Sequence, residues 1–265
     1  ALNEWNPAYC AIAFDLSAPT FRHKQFPEYK GQRESTPEEL RPQFGRVKQL
    51  MESFGVPVFE LEGWEADDVI GTLAAQAEKI GMDSVILTGD RDTFQLISPK
   101  VRVDLASSIQ DRKVYDEEAL MERYSGLTAA QQTDFKALLG DSSDNIPGVP
   151  KVGEKTAIAL LNEYHNLEGI YEHLEEVKRP SVKSSLEEFK DRAFFNRGLM
   201  TIDCDSPVVL DLENAKFGNF DRNAVVQFMT ELEFFTIITR VPEPDGSETS
   251  VATENAPAAA PTEAV

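Results

Sequence analysis

Apolar and polar residues along the first 115 positions predict strands and helices in alternation. The run 84–88 reads SVILT, and its apolar character is typical of a strand buried on both faces of a parallel sheet. A chain that alternates strand and helix in this way predicts an α/β layer built on a mostly parallel sheet. Strands are predicted at 9–14, 56–59, 84–88 and 101–105, and helices at 36–54 and 66–80.

The segment before the first long helix is polar, aromatic and basic, without a clear period. Residues 17–35 (SAPTFRHKQFPEYKGQRES) are therefore predicted to form a loop or a mobile arch. Thr36 is positioned to cap the helix that follows, Pro37 fits its first turn, and Glu39 completes a capping box. Pro42 is expected to kink this helix near its start.

The pattern becomes mostly helical from residue 116 onward. After residue 240 the composition shifts to Pro, Ala, Thr, Ser and Glu, which cannot bury a core and predicts a disordered linker or tail. The sequence thus predicts a domain at 1–115, a helical domain at 116–240 and a tail at 241–265. Helices are predicted at 116–124, 128–139, 155–164, 167–174, 182–189 and 222–232.

The overall charge limits the kinds of partner. A formal net charge of −20 gives no attractive field for nucleic acid, so any phosphate contact must come from local basic patches. No apolar run in the sequence approaches the length of a bilayer span, so no membrane partner is expected. Cys10 and Cys204 lie in apolar surroundings and are expected to be reduced thiols of a cytoplasmic protein.

Acidic residues are gathered into three tight clusters, and one further aspartate ends an apolar run. Each cluster alone has an ordinary interpretation, either as a helix cap or as part of a polar loop. Together they lie at two strand ends, one helix start and one loop, and ligands of open α/β sheets bind at strand ends. The acids are Asp15; Glu65, Asp67 and Asp68; Asp90 and Asp92; and Asp141 and Asp144.

Carboxylates held close together repel each other and are costly to bury unless a cation neutralises them. Hard divalent cations with oxygen ligands are the cations that such a site suits best. The sequence therefore predicts two Mg²⁺ or Mn²⁺ ions, an arrangement that clamps the attacking and leaving oxygens of a phosphodiester.

Two further segments suit contact with nucleic acid. In 148–157 (GVPKVGEKTA), glycines bracket a turn before a helix, where backbone N–H groups and Lys155 can hold phosphate. Its spacing does not match a Walker loop, and a simple glycine turn that caps a helix is the alternative. In the predicted arch, Arg22, Lys30 and Arg33 alternate with aromatic residues, which suits a single strand, although a solvated loop would look the same.

Five motifs in series, FDLSAPTFRH, YKGQR, WEADD, LTGDRD and GDSSDNIPGVPKVGEKTA, resemble the 5′ nuclease domain of the flap-endonuclease superfamily, as found in bacterial DNA polymerase I. The resemblance covers about residues 8–240. It implies a PIN-like α/β core followed by a helical domain with a helix–three-turn–helix, its helix-hairpin-helix at about 128–164. It also implies metal-dependent 5′-3′ exonuclease and 5′-flap endonuclease activity in primer removal and repair.

The resemblance also implies roles for individual residues. The eight acids above match the family's metal-site residues, and the helix-hairpin-helix of relatives also holds a monovalent cation such as K⁺. Lys30, Arg33 and Arg22 match the basic arch residues that serve catalysis. The residues that match the DNA-gripping turn are Gly148, Val149, Lys151, Gly153, Lys155 and Thr156.

Two departures from the family qualify this expectation. The family's first strand, which ends in an Asp-Gly whose Asp is a metal ligand, is missing, so an inactive or truncated DNA-binding module is the alternative function. Lys151 stands where relatives commonly have Gly. A PIN-type ribonuclease is a second alternative, which the long helical half disfavours. The expected partners are DNA with 5′ ends or flaps, RNA primers on DNA and covalently linked polymerase domains.

Overall fold

The structure is a computed structural model that describes residues 2–106, 108 and 111–245. Its first half contains two small sheets flanked by helices. β1 pairs with β2 in parallel, while β4 pairs with β3 in parallel and with β5 in antiparallel. The elements are α1 (Leu2–Trp5), β1 (Ile12–Ala13), α2 (Phe21–Gln25), α3 (Arg41–Ser53), β2 (Val58–Phe59), α4 (Ala66–Lys79), β3 (Ser84–Thr88), β4 (Val101–Ala106) and β5 (Arg112–Tyr115).

The second half is helical, as predicted, apart from one short hairpin. β6 and β7 pair in antiparallel directly after α6 and form the turn that leads to α7. The elements are α5 (Glu117–Arg123), α6 (Gln132–Leu139), β6 (Gly140–Asp141), β7 (Ile146–Pro147), α7 (Glu154–Tyr164), α8 (Leu167–Glu172), α9 (Pro180–Glu188), α10 (Lys190–Met200), α11 (Leu212–Ala215) and α12 (Arg222–Glu231). Short 3₁₀ turns follow β3 at 91–96 and precede α6 at 129–131.

The α/β class and the main elements are confirmed, and four local predictions are wrong. The segment 17–35 is not all loop, because α2 forms within it behind a Thr20–His23 capping box. α3 begins at Arg41, not near Thr36. Pro42 falls in its first turn, where a missing N–H costs nothing, so Pro42 does not kink the helix.

The fourth error concerns β3, which is a strand over the predicted residues but is not buried on both faces. Leu87 is 52% exposed, whereas Ile86 is buried. Among the described residues β3 is an edge strand, with β4 on one side only. The predicted tail at 241–265 lies outside the described residues from 246 onward.

One hydrophobic core joins the two halves of the chain. Residues of the β3–β4 layer, such as Ile86, Phe94 and Val103, pack in the same cluster as Leu138 and Leu161 of the helical half. A second cluster joins α3 to α12 around Phe54 and Phe220. The shared core fixes the acids of the first half relative to those of the second. No helix in the described ranges has both the length and the apolar composition needed to cross a bilayer.

Gly140, between α6 and the hairpin, meets conditions that only glycine satisfies. Its φ of 76° and ψ of 176° lie in a region that side chains exclude, and a Cβ there would stand 2.2 Å from the Gly148 nitrogen.

We expect Gly140→Ala to lower the free energy of unfolding by about 2 kcal/mol or more in urea denaturation. Gly45→Ala is the control, since a Cβ there meets nothing within 4 Å. A loss no larger than that of the control would contradict this reading of the turn.

Candidate metal and nucleic-acid site

Six acids from four separate segments meet beside the arch. Asp15 lies just beyond β1, and its Oδ1 accepts a hydrogen bond of 2.8 Å from the Ala66 N–H at the start of α4. Asp90 and Asp92 follow β3, and Asp90 caps the 3₁₀ turn there. One cleft is lined by acids of the α4 start, the β3 end and the hairpin turn, together with arch residues: Glu65, Asp67, Asp90, Asp92, Asp144, Tyr29 and Lys30.

Asp67 carries the strongest sign of crowded negative charge. Burial, together with the charges of Asp90, Asp92, Asp15 and Glu65, raises the pKa of the Asp67 carboxyl to about 7. Burial and like charges disfavour the ionised form of a carboxyl, and a bound cation would stabilise that form. Asp67 is therefore the centre of the part of the site that lacks positive charge.

Lys136, which no sequence pattern marked as a site residue, neutralises another part of the site. Its Nζ donates to Asp92 Oδ1 and, at 2.8 Å, to Asp141 Oδ2. Burial nevertheless raises the pKa of Asp92 to about 6. Burial also opposes ionisation of Asp141, but the hydrogen bonds from Lys136 and Ser143 lower its pKa to about 2. Both carboxylates thus share one cation that comes from α6.

The arch residues Tyr29, Lys30 and Arg33 pair with acids of both halves. Lys30 Nζ lies 2.8 Å from Glu65 Oε1, and Arg33 Nη2 lies 2.6 Å from Asp144 Oδ1. The buried Tyr29 hydroxyl lies 3.1 Å from Glu65 Oε2 and 3.1 Å from Asp144 Oδ2. Burial and these two charges raise the pKa of Tyr29, so its hydroxyl stays a donor. The base of the arch is thereby held against the acidic cleft.

Arg22 and Asp68 form a buried ion pair, an arrangement that the sequence did not predict. The Arg22 guanidinium donates to both Asp68 oxygens, at 2.7 and 2.8 Å, and to the carbonyls of Leu199 and Thr201. Asp68 is 0% exposed and also accepts from the N–H groups of Glu65 and Asp203. Four donors thus engage the two oxygens of Asp68 in this structure. Arg22 is likewise buried, at 3% exposure.

The remaining acids fit divalent metal ions by their chemistry. They offer oxygen ligands only, and Asp67 lies among uncompensated negative charge. As the side chains stand, no three carboxylate, histidine or cysteine groups among the described residues are arranged to hold one ion. Lys30, Arg33 and Lys136 instead pair with Glu65, Asp144 and the Asp92–Asp141 pair. Metal binding by these paired acids would therefore require the lysine and arginine groups to move.

The predicted DNA-gripping turn joins the hairpin to α7. Gly153 caps α7 from an extended conformation, and its carbonyl accepts from Thr156 N–H at 2.9 Å. Lys151 has a φ of 66°, the left-handed conformation that explains why glycine suits this position. Val149 is buried, whereas Lys151 and Lys155 are exposed. A Cβ at Gly148 would lie 2.1 Å from the Leu139 carbonyl oxygen, so Gly148 serves the close packing of the turn.

Two sequence profiles match almost the whole described chain. A profile described as the 5′-3′ exonuclease N-terminal resolvase-like domain matches residues 1–125. A profile described as the 5′-3′ exonuclease C-terminal SAM fold matches residues 127–223.

Similar curated proteins are DNA polymerase I enzymes of bacteria. That of Chloroflexus aurantiacus is 47% identical over 237 residues, which is 88% of this chain and 25% of the relative. That of Bacillus subtilis is 42% identical over 243 residues, which is 91% of this chain and 28% of the relative. The chain thus spans about a quarter of the length of the curated relatives it matches.

Solved structures of two nucleases share the fold. The D15 protein of phage T5, co-crystallised with metal ions, has a TM-score of 0.64 at 21% identity, covering 90% of this chain and 85% of that chain. The catalytic core of Rad2 in complex with a DNA substrate has a TM-score of 0.53 at 17% identity, covering 83% and 72%. At this level of identity the likeness establishes the α/β-plus-helical architecture.

Proposed function

We propose, because the chain belongs to the 5′-3′ exonuclease family, that it hydrolyses phosphodiester bonds at the 5′ ends and 5′ flaps of DNA. The observation that carries the proposal is the meeting of acids from both halves of the chain in one cleft beside a basic arch. Such a cleft offers divalent cations on one side and phosphate-binding groups on the other.

The residues that we propose to hold Mg²⁺ or Mn²⁺ are those whose carboxylates face the cleft or contact Lys136, together with Asp15 beside the start of α4. When bound, two such ions would polarise the scissile phosphate and stabilise the charge of the attacking and leaving oxygens. We propose that Asp15, Glu65 and Asp67 serve one ion, and Asp90, Asp92, Asp141 and Asp144 the other. Asp68 is excluded from this set, since Arg22 uses both of its oxygens.

The arch cations and the Arg22 pair have different proposed roles. Lys30 and Arg33 lie at the rim of the cleft, where they can exchange their carboxylate partners for phosphate oxygens of the substrate. Arg22 instead positions Glu65. Its partner Asp68 accepts a hydrogen bond from the Glu65 N–H, and Arg22 itself donates to the Leu199 carbonyl near the end of α10. Tyr29 orients the Glu65 and Asp144 side chains through its hydroxyl.

We propose that the turn before α7 holds the duplex behind the junction. Its exposed Lys151 and Lys155, with the backbone N–H groups at the start of α7, suit phosphate contacts that do not depend on sequence. We also propose that a K⁺ ion binds between this turn and a phosphate of the duplex.

Lys155→Ala is expected to weaken binding of duplex DNA equally for different sequences. It should also reduce the slope of log affinity against log salt by about 1, because one phosphate contact is lost. Fluorescence anisotropy with Ca²⁺ across a salt series measures both quantities. Lys79→Ala, at the far end of α4, removes the same charge as a control. An affinity and slope equal to those of the control would contradict the phosphate contact.

The wider setting of the chain is also a proposal. The similar curated proteins favour polymerase domains covalently linked to this chain, and RNA primers on DNA as substrates in the bacterial cytosol. We propose the domain limits 1–115, 116–240 and 241–265 for the metal-site domain, the helical domain and the linker.

A further inference from the structure

Lys136 ties the two halves of the chain together through charge, as the Arg33–Asp144 pair also does. Asp92 belongs to the 3₁₀ turn after β3, whereas Asp141 belongs to β6. The Lys136 side chain is 22% exposed, and its Nζ contacts both carboxylates, that of Asp141 at 2.8 Å. The lysine therefore stands between two anions that come from different elements.

The backbone around Lys136 is firmly held. Its neighbours Phe135 and Ala137 are buried in the main core, and the Asn196 side chain of α10 donates to the Ala137 carbonyl at 3.0 Å. The lysine stem is a flexible chain of four carbons that ends in a compact charge. The Nζ can thus leave the two carboxylates while α6 stays in place.

The position of Nζ is one that a divalent cation shared by Asp92 and Asp141 would have to occupy. Two carboxylates that contact the same Nζ repel each other strongly unless a cation lies between them. A lysine meets this need with one positive charge, and a divalent ion would meet it with two. Both cannot stay there together, because they would repel each other.

We propose that Lys136 is a built-in counter-ion that competes with the divalent ion for Asp92 and Asp141, and so lowers the affinity of that site for metal. This inference rests on the proposed function, in which these two acids hold one of the ions. In the absence of metal, the charge of Lys136 stabilises the acidic cleft by pairing with Asp92 and Asp141. The competition makes the second site the weaker of the two, and it releases a lysine into the cleft when metal binds.

The test is a titration of the full-length protein with Mn²⁺ alone, with free Mn²⁺ measured by electron paramagnetic resonance. Lys136→Met keeps the stem and removes the charge, and Lys136→Gln is the second variant in case the first does not fold. Lys79→Met is the matched control. We expect the weaker Mn²⁺ site to bind about tenfold tighter or more in both Lys136 variants, the order of a lost charge-assisted hydrogen bond.

Thermal unfolding in EDTA and then in Mn²⁺ gives a second readout. Without metal the Lys136 variants should unfold at a lower temperature than the control, since Asp92 and Asp141 then repel each other. Mn²⁺ should raise the unfolding temperature of the Lys136 variants by more than it raises that of the wild type.

Three outcomes are distinguished. Equal or weaker Mn²⁺ binding in the Lys136 variants would overturn the inference while leaving the proposed function intact. Unchanged Mn²⁺ binding together with weaker flap-DNA binding in EDTA would also overturn it, and would make Lys136 a phosphate contact. Absence of Mn²⁺ binding in the wild type would overturn the proposed metal site itself, and the inference with it.

Discussion

Asp67→Asn is expected to lower Mg²⁺-dependent cleavage of a 5′-flap substrate by about a hundredfold or more, since each ~1.4 kcal/mol of lost transition-state stabilisation is tenfold. The asparagine keeps the shape of the side chain but removes the charge that four neighbouring acids surround. The same change relieves repulsion in the metal-free protein. We therefore expect the free energy of unfolding in EDTA to stay equal or to rise while activity falls.

Asp83→Asn is the matched control for this substitution. Asp83 is also an aspartate beside an element of the α/β layer, directly before β3. It lies at the end of β3 opposite Asp90, where it pairs with Lys100. Single-turnover cleavage of a labelled flap, with urea unfolding in EDTA, measures both effects. Cleavage by Asp67→Asn at the rate of the control would contradict a metal role for Asp67.

Arg22→Met is expected to lower the free energy of unfolding by about 3–5 kcal/mol, the cost of leaving one member of a buried ion pair without its partner. Asp68 would stay buried and charged, and the carbonyls of Leu199 and Thr201 would lose their donors. Urea denaturation of the full-length protein measures the loss. An exposed pair provides the control, since Lys183→Met breaks the contact with Glu175 and should cost about 1 kcal/mol or less.

The double variant Arg22→Met with Asp68→Leu separates pairing from packing. With neither charge present, we expect it to recover much of the stability lost in Arg22→Met, because no unpaired charge remains buried. A double variant no more stable than Arg22→Met, or an Arg22→Met loss as small as that of Lys183→Met, would show that the pair does not stabilise the fold.

The fold was predictable where a single element carried its own signal. The run SVILT predicts β3 over the residues that form it, and the apolar stripe after Glu65 predicts α4 to within one residue. α10 (Lys190–Met200) was missed, since charged and aromatic residues obscure its period. The exposure of Leu87 was also missed, because an edge strand is defined by neighbours that are distant in sequence.

The acids of the cleft were predictable for a physical reason, and their partners were not. Acids after strands and at a helix start gather at one edge of a sheet, so their types and positions suggest a shared site. Lys136 lies 44 residues from Asp92, and Arg22 lies 46 residues from Asp68. A lone lysine on a helix resembles a surface residue, and only the packing of α6 reveals its partners.

The measurement that tests the central claim most directly is cleavage of a 5′-flap DNA by the full-length protein in Mg²⁺, in Ca²⁺ and in EDTA. The same samples are assayed for DNA binding, and Asp67→Asn is included. The account predicts short 5′ products in Mg²⁺ that Asp67→Asn fails to form, with the flap DNA still bound. Binding of the flap without cleavage at any Mg²⁺ concentration would contradict it, and would leave a DNA-binding module without nuclease activity.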